Sequence, residues 1–220
     1  AIGIGIDTSI VPKNDFYSQN RPLPAGSKPD LGAIESIIGI PAPQITSISA
    51  IDKKVSISWK IIDTSSILKY RVYKSSTDSL PTTLYFESAT ANVTSIQDST
   101  VEYGKKYNYR VQSVKRDLST SDYSDPANVT IYSQPVLNNP NNNAKSVSFS
   151  DTLKWNAYSA KTVYKLQSSK SQDFSVVDSI SLQTNNFPLE KYKLLHNTNY
   201  YWRVSVKDTN STSLWSNSFN

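Results

Sequence analysis

The chain has 220 residues, 37% of them hydrophobic and 11% aromatic, so it can bury about two small cores. It contains no cysteine, which excludes disulfide frameworks and thiolate metal sites. The net charge of +5 is spread over single Lys and Arg residues rather than the basic stripe of a nucleic-acid binder, so no nucleic-acid partner is expected. Fourteen tyrosines, abundant Val, Ile and Thr, and no amphipathic helical period predict an all-β fold.

Residues 1–44 form an N-terminal arm that differs from the rest of the chain. Ile2, Ile4 and Ile6 alternate with small or polar residues, which predicts an extended strand with one apolar face. So short a strand cannot form a sheet alone, and we expect it to add to a sheet edge of its own chain or of another subunit; a disordered terminus is the third alternative. The predicted assembly interface consists of five apolar residues: Ile2, Ile4, Ile6, Ile10 and Val11.

The remainder of the arm has two parts. A polar segment with four prolines, from residue 12 to 30, is typical of an extended linker. Residues 31–40 are apolar again and predict a short helix or a second docking segment. The chain lacks Met, begins at Ala1 and is rich in Ser, Thr and Asn, which favours an extracellular or cell-surface protein whose signal peptide has been removed. It has no apolar run long enough for membrane insertion.

From residue 45 to 132, short alternating segments separated by turns predict one β-sandwich. In the third segment, Leu68, Tyr70 and Val72 are expected to point inward, with Lys69 and Arg71 in solvent. The seven predicted strands lie near residues 45–50, 55–59, 68–73, 84–86, 93–96, 107–111 and 128–131.

A Pro- and Asn-rich connecting segment at residues 133–141 precedes a second copy of the pattern. The second predicted domain, counted with this segment, covers residues 133–220. Its middle strands are expected within 174–182, and residues 214–219 lead into the last strand. The most specific repeat is a polar turn followed by a tyrosine strand, in which Tyr107 recurs 93 residues later as Tyr200.

The repeated residues resemble the fibronectin type III family. The second strand of each copy has a Trp (Trp59, Trp155) and the third a Tyr (Tyr70, Tyr164). The corner before the sixth strand has an apolar residue and a Tyr (Val101/Tyr107, Leu194/Tyr200). Two short segments near the C-terminus also match, Tyr201–Val204 and Leu214–Ser216. The last two resemble the variety found in bacterial and archaeal secreted or cell-surface proteins. The resemblance implies two tandem seven-stranded immunoglobulin-like sandwiches, 45–132 and 133–220, after the arm at 1–44.

The sequence offers little for catalysis. Its one histidine, His196, is expected in a solvated turn, and no nucleophile elbow or phosphate-binding glycine loop occurs. Acidic residues such as Asp98 and Asp208 are expected in turns. We therefore expect no enzyme activity, metal or cofactor. Three sequons make Asn92, Asn128 and Asn210 candidate glycosylation sites.

These features predict a non-enzymatic extracellular structural protein. It would be a subunit of a cell-surface filament, lattice or adhesin that assembles through its arm, with a second copy or another surface protein as partner by strand addition. Two alternatives are a spacer or binding module of a larger secreted polysaccharide-degrading enzyme, and a scaffold component of an outer-membrane or secretion complex.

Overall fold

A computed structural model describes residues 41–61, 64–159 and 161–220. The chain divides into two compact units, Ala1–Pro41 and Ala42–Asn220. The apolar segment at 31–40 and the predicted assembly residues lie outside the described residues: Ile2, Ile4, Ile6, Ile10 and Val11.

The unit Ala42–Asn220 is built from β-strands, so the predicted all-β class is confirmed. Its first half contains seven strands: β1 (Gln44–Ile51), β2 (Lys54–Lys60), β3 (Ile67–Ser75), β4 (Thr83–Glu87), β5 (Ser95–Asp98), β6 (Lys106–Lys115) and β7 (Ala127–Thr130). Its second half contains seven shorter ones: β8 (Leu137–Asn139), β9 (Thr152–Trp155), β10 (Val163–Ser169), β11 (Asp178–Leu182), β12 (Asn186–Pro188), β13 (Tyr201–Lys207) and β14 (Ser211–Thr212). A single 3-10 turn, Leu189–Lys191, follows β12.

One sheet runs through both halves. Its strand order is β11-β10-β13-β14-β1-β2-β5, because the short strand β14 pairs with β13 on one side and, in parallel, with β1 on the other. The first half also has a four-stranded sheet, β4-β3-β6-β7, and the second half a three-stranded sheet, β12-β9-β8. Each half therefore faces part of the long sheet with a sheet of its own.

The same aromatic pair anchors the core of each half. Trp59 and Tyr70 meet edge to face with ring centroids 5.6 Å apart, and Trp155 and Tyr164 repeat the contact at 5.6 Å. All four rings are buried, as the inward positions of their strands predict.

The repeated tyrosines at the two corners, Tyr107 and Tyr200, each accept a backbone hydrogen bond. The backbone N–H of Glu102 donates to the Tyr107 hydroxyl at 3.1 Å, and that of Leu195 donates to the Tyr200 hydroxyl at 3.2 Å. The two rings differ, because Tyr107 is buried whereas Tyr200 is only half-buried.

Strand β3 corrects one predicted face. Ile67 is 2% exposed and fills the core position expected for Leu68, which is half-buried. The cause is a bulge opposite β6, where Ile67 pairs with Lys115 but Lys69 already pairs with Val114. A bulge adds one residue and so exchanges the faces on either side of it.

The second half departs further from the predicted strands. The middle strands expected within 174–182 correspond to one strand, β11, which begins at Asp178 because Phe174 turns the chain with a positive φ of 53°. Residues 214–219 were expected to lead into the last strand, but this region forms only one bridge, between Phe219 and Trp202, and β14 lies earlier. The sequence did not predict β12 or the turn after it, and strand β8 lies within residues 133–141, which were expected to be a connection only.

Serine side chains complete the sheet edges in both halves. Ser124 donates its N–H to the Val111 carbonyl at 2.8 Å, and its hydroxyl accepts the Val111 N–H at 2.9 Å. Ser216 and Val204 exchange the same two bonds at 2.8 and 3.0 Å. In each half a serine hydroxyl thus replaces one of the two backbone hydrogen bonds of a strand pair, at the point where the chain bends away from the sheet.

Candidate functional site

The two halves meet at a joint built from the end of β1 and the turn between β13 and β14. The N–H of Ala50 donates to the Asn210 carbonyl at 2.8 Å, and Ala50 and Ile51 lie opposite Ser211 and Thr212. Because these are backbone bonds within one sheet, they orient the halves as well as connect them.

Asp208 organises the side chains of this joint. One carboxylate oxygen accepts the N–H groups of Asn210 and Ser211 at 2.9 and 2.8 Å, which is the turn role expected from the sequence. The other accepts the Tyr132 hydroxyl at 2.8 Å. The Asn210 side chain donates across the joint to the Asn128 carbonyl at 2.9 Å.

Tyr132 ties the connecting segment to the second half. It is 7% exposed, belongs to the core of the second half and meets Tyr158 edge to face at 5.6 Å. Burial and its bond to the Asp208 carboxylate raise the pKa of Tyr132 to about 12, so it stays a neutral donor. The Tyr158 hydroxyl binds the carbonyls of Ser133 and Gln134 at 3.0 and 3.2 Å.

An ion pair with a buried carboxylate, Lys74–Asp98, lies in the first half. Asp98 is 0% exposed and lies 2.7 Å from the Lys74 ammonium, while Tyr109 and Thr100 also donate to its carboxylate at 2.7 Å. Burial alone raises the pKa of Asp98, but the hydrogen bonds from Lys74, Tyr109 and Thr100 outweigh it and lower the pKa to about 2. The Lys74 ammonium also lies 4.6 Å from the centre of the Tyr107 ring, which it covers.

The equivalent layer of the second half carries a serine in place of Lys74. Lys74 lies opposite Tyr109 in the β3–β6 ladder, and Ser168 lies opposite Trp202 in the β10–β13 ladder. Tyr109 and Trp202 each follow their corner tyrosine by two residues, so Ser168 stands where the first half has Lys74.

The partner of that lysine is replaced as well. Asp98 lies opposite Val55 at the start of β2, and Leu189 donates its N–H to the Asp151 carbonyl just before β9. Val55 precedes Trp59 by four residues, and Asp151 precedes Trp155 by four. Leu189 therefore occupies the position in the second half that Asp98 has in the first. A charged pair that fills space in the first half becomes a serine and a leucine in the second.

A groove lies where this filling is missing. Two adjoining cavities of about 830 and 920 Å³ share five lining residues: Ser168, Tyr192, Leu194, Leu195 and Tyr200. We call them together the distal groove. Leu189 and Trp202 lie in its wall. Its rim exposes apolar side chains, with Leu195 56% and Val176 79% exposed.

The distal groove and the joint lie at opposite ends of β13. Tyr200 and Trp202, at the start of the strand, line the groove, whereas Lys207 pairs with Thr212 and leads into the Asp208 turn. Seven residues of strand separate the two sites by roughly 20 Å, at about 3.3 Å per residue.

The candidate glycosylation residues are spread over the fold. Asn92 and Asn128 are exposed, whereas Asn210 is half-buried and its amide nitrogen is engaged at the joint. His196 is exposed in a loop, with its ring 4.6 Å from that of Phe149. The sequence missed Lys74 and assigned Asp98 to a turn; only the bond to Thr100, two residues on, matches that role.

In the described part of the chain, no three His, Cys, Asp or Glu side chains are grouped closely enough to hold a metal ion. Among the same residues there is no helix with the length and apolar character needed to cross a membrane.

No protein-family model matches the sequence, and no curated protein matches it. Among solved structures it is similar to the FN1-FN3 domains of chicken CNTN1, with 14% identity over 82% of this chain and 66% of that one and a TM-score of 0.43. It is also similar to a β-1,2-glucanase from Parabacteroides distasonis, with 26% identity, 41% of this chain, 12% of that one and a TM-score of 0.35. A third is pectate lyase PelI from Erwinia chrysanthemi in complex with tetragalacturonic acid, with 16% identity, 40% of this chain, 28% of that one and a TM-score of 0.37. The chain thus spans a minor part of both enzymes, and its all-β class rests on its own strand pairing.

Proposed function

We propose that the protein is a non-enzymatic extracellular structural protein, a subunit of a cell-surface filament, lattice or adhesin. In this proposal residues 45–132 and 133–220 are two tandem fibronectin type III modules, and the arm at 1–44 joins one subunit to the next by strand addition. The first half has three strands in the long sheet and four in its own sheet, and the second half has four in the long sheet, including β14, and three in its own. Such a division into layers of three and four strands is consistent with these modules.

The joint is the observation that carries the proposal. A parallel backbone pairing, the Tyr132–Asp208 bond and the Asn210–Asn128 bond hold the halves in one orientation. A building block that must transmit its position to the next subunit needs such a fixed connection, whereas independent binding modules on a flexible tether do not.

A spacer role is the second candidate, because the same joint would hold two parts of a larger secreted polysaccharide-degrading enzyme at a fixed distance. A scaffold role in an outer-membrane or secretion complex uses the same property. Under either role the chain would stay monomeric in isolation. For an extracellular protein, Asn92 and Asn128 offer free side chains for glycosylation, and Asn210 does not.

The test is the molar mass of the full chain in solution, measured by light scattering across a concentration series. The proposal expects a mass that grows with concentration and returns to that of the monomer when residues 1–11 are deleted or when Ile2, Ile4 and Ile6 are all replaced by serine. Asp7→Asn is the matched control, because it keeps the apolar face of the arm. A chain that is monomeric at every concentration contradicts the assembly role and favours the spacer.

A further inference from the structure

We infer that the distal groove is the acceptor for the arm of a second copy, with Ile2, Ile4 and Ile6 of one chain packed into the second half of the next. This inference rests on the proposed assembly function and names its acceptor site. It is carried by the contrast between the two halves, by the free edge of β11 and by the distance between the groove and Gln44, where the chain enters its first strand.

The groove is an unfilled position of the fold rather than an ordinary surface cleft. In the first half the Lys74–Asp98 pair occupies this layer and covers the corner tyrosine, which is 4% exposed. In the second half Ser168 and Leu189 leave it open, and the corner ring of Tyr200 is half-buried. Apolar side chains such as Leu189 and Leu194 lie in its walls beside polar ones such as Ser168 and Lys170. The groove can therefore accept an extended strand that presents alternating apolar side chains.

Strand β11 offers the backbone groups that an added strand needs. Within the described residues it pairs with β10 alone, so its second edge is free, and its residues Asp178, Ser179 and Ile180 line the groove. Ile180 and Leu182 are half-buried and pack against the core. A strand added here would extend the sheet while its inward side chains enter the groove.

The arm carries the pattern that such a position accepts. In an extended strand Ile2, Ile4 and Ile6 point to one side about 7 Å apart, at roughly 3.3 Å per residue. Gly3 and Gly5 on the other side permit close approach of a second backbone. Burying three isoleucines removes their apolar surface from water, and this favours association at every contact.

The point at which the chain enters the unit Ala42–Asn220 and the groove lie at opposite ends of this unit. The chain enters this unit at Gln44, and β1 then runs about 23 Å towards the joint, at about 3.3 Å per residue. The groove lies beyond the joint, at the far end of β13. An arm that leaves at one end and an acceptor at the other give a head-to-tail contact, which repeats into an open chain of subunits.

The absence of cysteine allows a direct test by disulfide trapping between full-length chains. One protein carries Ile4→Cys and a second carries Val176→Cys at the rim of the groove. The control partner carries Leu118→Cys, a position 70% exposed in the first half, against 79% for Val176. We expect the mixed Ile4–Val176 disulfide to form at least about tenfold faster than the Ile4–Leu118 one, because docking raises the local concentration. Equal rates overturn the inference.

Two further measurements separate the alternatives. A double variant carries Ile4→Cys and Val176→Cys in one chain. If its disulfide forms within the chain at a rate that dilution does not change, the arm docks in its own groove. That result overturns the contact between copies. Leu195→Glu, at an exposed rim position, is expected to abolish assembly without unfolding the chain. Assembly that depends on the isoleucines but survives Leu195→Glu overturns the groove alone, whereas a wild-type chain that never assembles overturns the proposed function itself.

Discussion

The Tyr132 hydroxyl donates to the Asp208 carboxylate at 2.8 Å, although the two residues are 76 positions apart in the sequence. Tyr132 follows the last strand of the first half, and Asp208 lies in the turn that positions β14 against β1. One hydrogen bond therefore links the connecting segment to the turn that makes the long sheet continuous.

Removing this hydroxyl should weaken the joint. Tyr132→Phe keeps the ring in the core but leaves one Asp208 oxygen without its donor, which we expect to cost about 1–3 kcal/mol of unfolding free energy. Urea denaturation followed by tryptophan fluorescence measures the effect. Tyr103→Phe is the matched control, because its hydroxyl also donates to an aspartate, Asp52, but at an exposed position, where a loss below about 1 kcal/mol is expected.

The buried ion pair should respond asymmetrically to single and double substitution. Lys74→Met leaves the buried Asp98 carboxylate without its cation, at an expected cost of about 3–5 kcal/mol. Asp98→Leu leaves the half-buried Lys74 ammonium without its anion and should also lower stability. The double variant removes both charges and should recover part of that loss, whereas the buried Tyr109 hydroxyl still lacks its acceptor. Lys106→Met is the control, since the Lys106–Asp78 pair is exposed and should change stability by less than about 1 kcal/mol.

The pH dependence of stability should carry the signature of Asp98. Its pKa in the folded chain, about 2, lies below the ordinary value of 3.8, so the ionised form is favoured by folding. The resulting contribution, on the order of 2 kcal/mol, is complete above about pH 4 and is lost as the pH falls towards about 2.

Urea midpoints at about pH 6 and about pH 2.5 measure this loss. The Lys74→Met/Asp98→Leu variant should lose less stability over that interval than the wild type, because other carboxylates titrate in both proteins and only one protein retains Asp98. Identical losses would contradict the assignment.

Ser124, which completes the sheet edge of the first half, should stabilise the backbone around Val111. Ser124→Ala removes the acceptor of the buried Val111 N–H, and we expect a cost of about 1–3 kcal/mol. Ser119→Ala, an exposed serine bonded to Asp117 in a neighbouring turn, should cost less than about 1 kcal/mol. Hydrogen exchange at the Val111 amide would localise the effect, since only Ser124→Ala should accelerate it.

Local patterns were sufficient for the class and for much of the core. Strict alternation placed Val55, Ile57 and Trp59 on the buried face, and they are 0–3% exposed. Alternation failed at β3, where a bulge moves Ile67 into the position expected for Leu68. No residue type marks that bulge, because it is set by the opposing strand.

The joint and the groove depend on contacts between distant residues and were not predicted. The pairing of Ala50 with Ser211 involves two residues of β14, too few for any periodicity. Asp98 was expected in a turn because a single carboxylate gives no sign of burial; its partner Lys74 comes from another strand, at the end of β3. The groove follows from what Ser168 and Leu189 do not fill, which only comparison with the first half makes visible.

The parallel pairing of β14 with β1 also determines how the molecule would carry tension. A pull entering at Gln44 acts along β1, which is held by seven register pairs to β2 and by two more to β14. Such a force loads these hydrogen bonds in shear, so they must fail together rather than open one after another. The joint is in this sense a mechanical clamp, because force passes to the second half through the hydrogen bonds of the shared sheet and not only through the connecting segment.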